Sequence, residues 1–457
     1  MRKTLLLVAT ATILVLATAT AQAKAVASLD PSFGKGGKVS LPRQIEDTWE
    51  TVQLADGRIV VPGRSGLLAL LPSGEIDSSF GVGGFASLLL PPGAASAGIA
   101  DLLVDSQGRL VVVGRATFCP PDGNGCADSR SEALVERFDP SGNIDYGFGE
   151  GGFFTSDFGV PPPGPRPPSP ADILPPPAGQ SPSVGARYAA IDAAGRIVIS
   201  AQRLAGYEFH KGYFVNRSEP FVARLQPDGE VDGTFAGSGV LSLPGTGALG
   251  RPLADAQGGF YISAFTGTGS TLMRLQPNGQ ADPGFGQAGG RPLPAGTGSP
   301  VDLDGSGRLL LYGYLQGWKE RRLANGILIK RLLPDGSLDR SFGRRGAISF
   351  RMPRLYTARI ALDEQGRILV GAALKEQSKK GRRPALPPGL ALTRLRPGGA
   401  PDKSFGRQGI VAIPFRRSVE LNIESLSVRN GAALLGAGGC SKGSCGRALA
   451  KVRLGPG

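Results

Sequence analysis

His210 is the only histidine in the chain, and that limits the chemistry the protein can perform. A Ser/His/Asp triad or a histidine-bearing metal site would have to use it, yet it lies in a long loop without a paired motif, and no role is expected for it. Carboxylates offer more. A position seven residues before a recurrent turn glycine is filled by Glu50, Asp101, Tyr188, Arg251, Pro300, Arg359 and Glu424. If the repeats close into a ring, Glu424, Glu50 and Asp101 become neighbours and form an acidic arc opposite Arg251 and Arg359. Carboxylates converging on a cavity can hold a hard cation or act as general acids and bases. A weak divalent-cation site is the one cofactor this suggests, and solvated strand ends are the simpler reading.

A second group is basic and aromatic. Tyr314, Trp318, Lys319, Arg321 and Arg322 lie in one long connection, and Lys375, Lys379, Lys380, Arg382 and Arg383 in the next. Together they would make a positive patch for an anionic cell-surface polymer or a protein, with affinity that falls as salt rises. The plainer alternative is a solvated charge run beside loop-packing aromatics. Cys119 with Cys126 and Cys440 with Cys445 are two close pairs without a neighbouring histidine or C-x-x-C spacing, so disulfides are expected rather than zinc. Three other matches are accidents of a glycine-rich chain. Gly439 to Gly443 fits G-x-S-x-G and Gly245 to Gly250 fits G-x-G-x-x-G, but both motifs need a strand and a helix around them. Asp302 to Gly307 opens like a calcium loop but lacks the closing Glu.

These residues are positioned by repetition. An Asp stands three residues before a Phe seven times, at Asp30/Phe33, Asp77/Phe80, Asp145/Phe148, Asp232/Phe235, Asp282/Phe285, Asp339/Phe342 and Asp402/Phe405, and a Gly follows each Phe by four residues. Only the Gly directly after Phe is broken once, by Ala236. A second block sets a turn glycine before a β-run, as in Gly57-Arg58-Ile59-Val60-Val61, and a third ends an apolar run in a Pro-x-Gly turn, as in Leu225-Gln226-Pro227-Asp228-Gly229. Each copy therefore supplies four short strands. Arg at two consensus strand positions, such as Arg109 and Arg196 or Arg224, Arg394 and Arg453, reads as scaffold. That accounts for much of the formal net charge of +14.

The forms Leu29-Asp30-Pro31-Ser32-Phe33-Gly34 and Ser337-Leu338-Asp339-Arg340-Ser341-Phe342-Gly343 resemble the bacterial delta-60 repeat family. The resemblance spans nearly the whole chain after its leader. It implies a propeller-like fold and brings no catalytic residues.

The expected fold is an all-β, seven-bladed propeller of four-stranded blades. The chain ends inside the third block's turn and begins just after it, so a segment from Phe33 to Leu41 should supply the outer strand of the last blade and close the ring. Antiparallel succession puts the connections between second and third strands, and those between blades, on one face. That face varies: Gly57 and Gly74 are 17 residues apart, but Gly108 and Gly142 are 34. A Pro-rich insertion, 161–182, falls there too.

Residues 1–23 read as an export signal, with Arg2 and Lys3 before an apolar run and Ala21-Gln22-Ala23 at the cleavage site. Residues 24–457 are expected to form one secreted or extracytoplasmic propeller, monomeric and without a transmembrane anchor. The expected function is a noncatalytic binding or surface scaffold; the alternative is a hydrolase- or lyase-type propeller with a polar or metal-containing funnel. Nucleic acid is not the expected physiological partner.

Overall fold

A computed structural model describes residues 27–43, 45, 50–119, 126, 129–159, 183–210, 213–244, 246–266, 269–293, 297–314, 326–352, 355–374, 389–415, 420–441 and 444–455. Residues 1–23, read above as an export signal, and the Pro-rich insertion lie outside these. Short runs of β-branched and aliphatic residues bounded by turn glycines form antiparallel sheets, and the described residues contain no helix. Seven such sheets stand around an axis as a seven-bladed propeller. Blade 6 shows the pattern, with Leu355–Leu362 innermost, then Ile368–Leu374, Gly389–Leu395 and Ile410–Pro414 outermost.

The repeat motif is the joint between blades. Its Asp accepts from the amide two residues on and, where a Ser or Thr stands there, from the hydroxyl, as Asp77 does from Ser79. That hydroxyl, followed by the Ser79 amide and Arg58, holds the Asp77 carboxyl below its ordinary value against the opposing effect of burial. The turned chain drops its Phe into the interior, and all seven repeat phenylalanines are fully buried. Each of the first six lands under the turn glycine of the following blade: Phe33 under Gly74, Phe80 under Gly142, and so on to Phe342 under Gly399. The residue after each of these Phe donates its amide across the same joint, as Gly34 does to Ser73 O at 2.7 Å and Gly343 to Gly398 O at 2.9 Å.

An arginine on the third strand locks the joint electrostatically. Arg331 reaches back to Asp339 at 2.7 Å and forward to the Pro397 carbonyl of the next blade at 2.7 Å; Arg394 makes the same pair with Asp402 and the Leu454 carbonyl. In blade 7 this place is taken by Lys451, which reaches Asp30 and the Pro72 carbonyl. The sequence alignment that put Arg453 there is two residues out of register. Arg453 instead meets Asp30 from the side at 2.6 Å, so both residues still serve the scaffold.

The residue after each Phe needs a positive φ, between 49° and 60° in all seven copies. In most of them a Cβ would also strike the carbonyl four residues on, 2.3 Å away at Gly81 and 2.4 Å at Gly406. Ala236, at φ 51°, sits in a turn closed differently: where Val82 donates to the Phe85 carbonyl in blade 1, here Ser238 donates to the Phe235 carbonyl.

Ring closure follows the expected split. Lys38–Ser40 lies antiparallel to Ser444–Arg453, with Val39 opposite Leu449, and forms the outer strand of blade 7 outside Glu420–Arg429 and Ala432–Ser441. A second short piece, Ser28–Leu29, pairs farther along the same strand. One long connection was misread: in blade 3 the residues around His210 are not a loop. The paired strands Ile197–His210 and Tyr213–Leu225 carry the ladder out to a hairpin whose last pair is His210 and Tyr213. Both disulfides form as expected, Cys119–Cys126 with Cα atoms 4.8 Å apart and Cys440–Cys445 at 4.0 Å, the latter across a directly paired position.

Two outcomes test this architecture. Deleting residues 24–42 strips the outer strand from Ser444–Arg453 and leaves an open edge; size-exclusion chromatography should show aggregate in place of monomer, and a stable monomer would refute closure. The second concerns Glu136, fully buried on the third strand of blade 2, whose Oε2 accepts from the Leu89 amide while Oε1 has no partner among the described residues. Burial pushes its carboxyl up to about 8. Between the unfolded value near 4.5 and 8 the folded state holds a proton that the unfolded chain releases, so stability falls as pH rises through this window. Glu136→Gln should therefore melt several degrees higher than wild type at pH 8.5 and nearly together with it at pH 5.

Candidate functional site

Seven innermost strands converge on the axis, and most are interrupted near the end that faces the long connections. Register shifts fall between Ile99 and Asp101, Ala186 and Tyr188, Pro300 and Asp302, Leu355 and Thr357, and Ile423 and Ser425. In blade 4 the interruption is complete. Gly250, Arg251 and Pro252 separate Ala248–Leu249 from Leu253–Ala254, because Pro252 has no amide to give to the ladder. Such bulges re-aim side chains, and here they turn the residues at the funnel mouth out of the alternating pattern.

Arg251 uses that freedom to reach across the funnel. Its Nη1 lies 2.7 Å from Asp101 Oδ2 and its Nη2 3.0 Å from Oδ1, a two-point pair with blade 2. Nη2 also lies 2.6 Å from Glu50 Oε1 at the start of blade 1, and the guanidinium sits 5.3 Å from the centre of the Tyr188 ring of blade 3. One side chain thus binds four consecutive blades. Asp101 is fully buried and accepts as well from the amides of Leu102 at 2.9 Å and Ala189 at 2.7 Å. Burial raises its carboxyl, while Arg251 and these amides pull it down. Against the burial that would lower it, Asp101 and then Glu50 hold the Arg251 guanidinium above its ordinary value.

Glu50 is the more open of the two carboxyls, with 35% of its side chain exposed. Enclosure by protein on its other sides pushes its carboxyl up to about 7; Arg251 opposes this and the Asp101 charge adds to it. Two carboxyls share one guanidinium, so a proton on Glu50 near neutral pH relieves the surplus negative charge.

The acidic arc expected from sequence is therefore divided. Glu50 and Asp101 meet on Arg251, but Glu424 turns sideways into blade 7. It packs where Gly438 lacks a Cβ and lies 3.1 Å from Arg447 Nε, while its backbone carbonyl accepts from Arg359 Nε at 2.9 Å. Among the described residues no group of three or more His, Cys, Asp or Glu side chains is placed to hold a metal ion. Asp304, in the calcium-like stretch, caps its turn and pairs with Arg308 at 2.7 Å. Of the basic and aromatic set, Tyr314 packs edge-on to Tyr312, and its hydroxyl accepts from the Ala358 amide of blade 6 at 3.2 Å. Trp318, Lys319, Arg321, Arg322, Lys375, Lys379, Lys380, Arg382 and Arg383 lie outside the described residues.

Beside the cluster, a cleft of about 300 Å³ opens between blades 1 and 2. Its walls are Pro62, Gly63 and Arg64 from the second-to-third turn of blade 1, Ser96 to Asp101 from the inner strand of blade 2, Arg115 and Thr117 from the next strand, and Glu50. Sequence reasoning missed Arg64 and Arg115. Both stand seven residues after a turn glycine, Gly57 and Gly108, and that shared offset in two neighbouring repeats was the available signal.

A family model described as a domain of unknown function (DUF5122) beta-propeller matches residues 212–235, within blade 3. No curated protein matches. Among solved structures the chain is similar to a protein of unknown function from Bacteroides caccae, 11% identical over 78% of this chain and 98% of that one, with a TM-score of 0.36. It is similar also to a Trypanosoma rangeli sialidase in complex with sialic acid, 13% identical over 94% of this chain and 60% of that one, TM-score 0.38. A gluconolactonase from Xanthomonas campestris is 17% identical over 73% and 85%, TM-score 0.33. Likeness at this level transfers no site and no activity.

Removing the guanidinium tests the cluster. Arg251→Met leaves the Asp101 carboxylate buried without its partner, a change that costs about 3–5 kcal/mol. Denaturant unfolding at pH 7 should show that loss, which should shrink as pH falls because burial favours the protonated Asp101 carboxyl, and Asp101→Asn in the same chain should recover a large part of it. Equal stability of Arg251→Met and wild type at pH 7 would show the pair to be dispensable.

Proposed function

We propose that the chain is an extracytoplasmic binding propeller without catalytic activity, whose ligand face is the one bearing the funnel mouth and the long connections, and whose ligand is an anionic polymer. The observation that carries this reading is the cleft between blades 1 and 2. Many of the described arginines are tied into the repeat, as Arg109 is to Asp105 and Arg196 to Asp192. Arg64 and Arg115 both stand exposed on the walls of a concave site, so two cationic side chains share one cleft. Cationic side chains at a cavity mouth draw anions and orient them. The basic segments 319–322 and 375–383 join the second and third strands of blades 5 and 6, and in this reading they extend the site. The delta-60 likeness fits a scaffold of this kind. The two disulfides fit an oxidising compartment, and no helix of the described residues is long and apolar enough to cross a membrane.

One observation favours a second reading. A carboxyl that titrates near 7 on the wall of a cleft is suited to proton transfer, so Glu50 would be the general acid or base of an enzyme acting on the same polymer.

Fluorescence anisotropy with a labelled oligogalacturonate distinguishes the readings. Binding should be weak, fall steeply between 50 and roughly 300 mM salt as charge is screened, and drop at least tenfold in Arg64→Ala/Arg115→Ala. Binding unchanged by that double substitution would exclude the cleft. Shortening of the oligomer by wild type, abolished by Glu50→Gln, would replace the binding reading with the enzymatic one.

A further inference from the structure

We propose that the cleft between blades 1 and 2 takes the carboxylate of an acidic saccharide together with one proton, which Glu50 accepts from solvent as the ligand enters. This deepens the binding reading and rests on it. Every charged group that the described residues place around Glu50 bears on the argument. Arg251 touches it, Asp101 and Arg359 act on it through space, and Arg64 and Arg115 share its cleft. Arg251 is committed: Asp101 holds it at two points, and Asp101 is itself fixed by two backbone amides. Glu50 has a single contact to the same guanidinium and faces the open space, so it is the carboxyl that can give up its charge.

An incoming carboxylate drawn by Arg64 and Arg115 is the third negative group at a site whose central guanidinium already serves two. Repulsion between Glu50 and the ligand would weaken binding unless Glu50 is neutral. Once protonated, Glu50 changes from acceptor to donor, and its O–H can bond a ligand carboxylate oxygen in a charge-assisted hydrogen bond. The cleft suits such a group sterically. Gly63 and Gly98 line it without side chains, and about 300 Å³ lies at the small end of ligand sites, room for about one sugar unit. Binding and protonation are then linked, and affinity must fall as pH rises through the Glu50 value.

Isothermal titration of wild type with trigalacturonate, whose carboxylates stay ionised above pH 5, tests this. Titrations at pH 6, 7 and 8 in two buffers of different ionisation heat should show net proton uptake, largest between pH 7 and 8, and about a tenfold loss of affinity from pH 6 to pH 8. Glu50→Gln, whose amide still donates, should abolish the uptake and flatten the pH profile while keeping the affinity of wild type at pH 6. Binding by wild type without proton uptake overturns the linkage and leaves the binding reading intact. Absence of binding at every pH overturns both.

Discussion

The burial of one phenylalanine per repeat beneath a glycine of the next is the contact on which the ring depends. A blade of four short strands has two apolar faces and cannot bury either by itself. The Asp turn aims the Phe out of its own sheet, the turn glycine of the following blade leaves room for the ring, and an amide and an arginine cross the joint beside it. Because the joint is made of residues at fixed spacing, the blades are set at fixed angles, and the long connections can vary without disturbing them. Blade 4 shows how tolerant the joint is. Where blades 2, 3, 5 and 6 carry Arg four residues after the turn Asp, this one has Gly259, and Arg274 from the third strand takes Asp255 at 2.7 Å in its stead.

Most of this was legible in the sequence because it repeats. Seven Asp-Phe blocks gave the blade count, and the split repeat gave the closure at Val39 and Leu449. The two-residue misreading at Arg453 arose where the repeat loses its Pro-x-Gly punctuation. With both Lys451 and Arg453 available, the register is fixed by the backbone, through the bonds from the Asp30 amide to the Lys451 carbonyl and from the Lys451 amide to the Gly37 carbonyl. The hairpin at His210 was read as a loop because its residues do not alternate cleanly, although the ladder carries them.

The funnel was legible only as a set of positions. Counting seven residues back from each turn glycine found the right side chains, but ring adjacency alone suggested that acids would gather with acids. The break at Pro252 lets Arg251 reach two blades away, and Gly438 gives Glu424 a pocket of its own. Both are local departures from the repeat whose effect depends on how far each side chain can travel across a closed ring. The cleft residues Arg64 and Arg115 share one repeat offset, seven after Gly57 and Gly108, but the other five copies carry no arginine there, so the position did not read as basic.

The closing blade also sets the order of assembly. Its outer strand is made some four hundred positions before the strand it joins, so the longest loop in the protein must be closed last, after the intervening blades have stacked and shortened it. Until then the receiving hairpin stands as an edge, and the bond between Cys440 and Cys445 pins its far end in register. The crosslink thus sits on the hairpin that receives the closing strand, where it limits the register slips open to that edge.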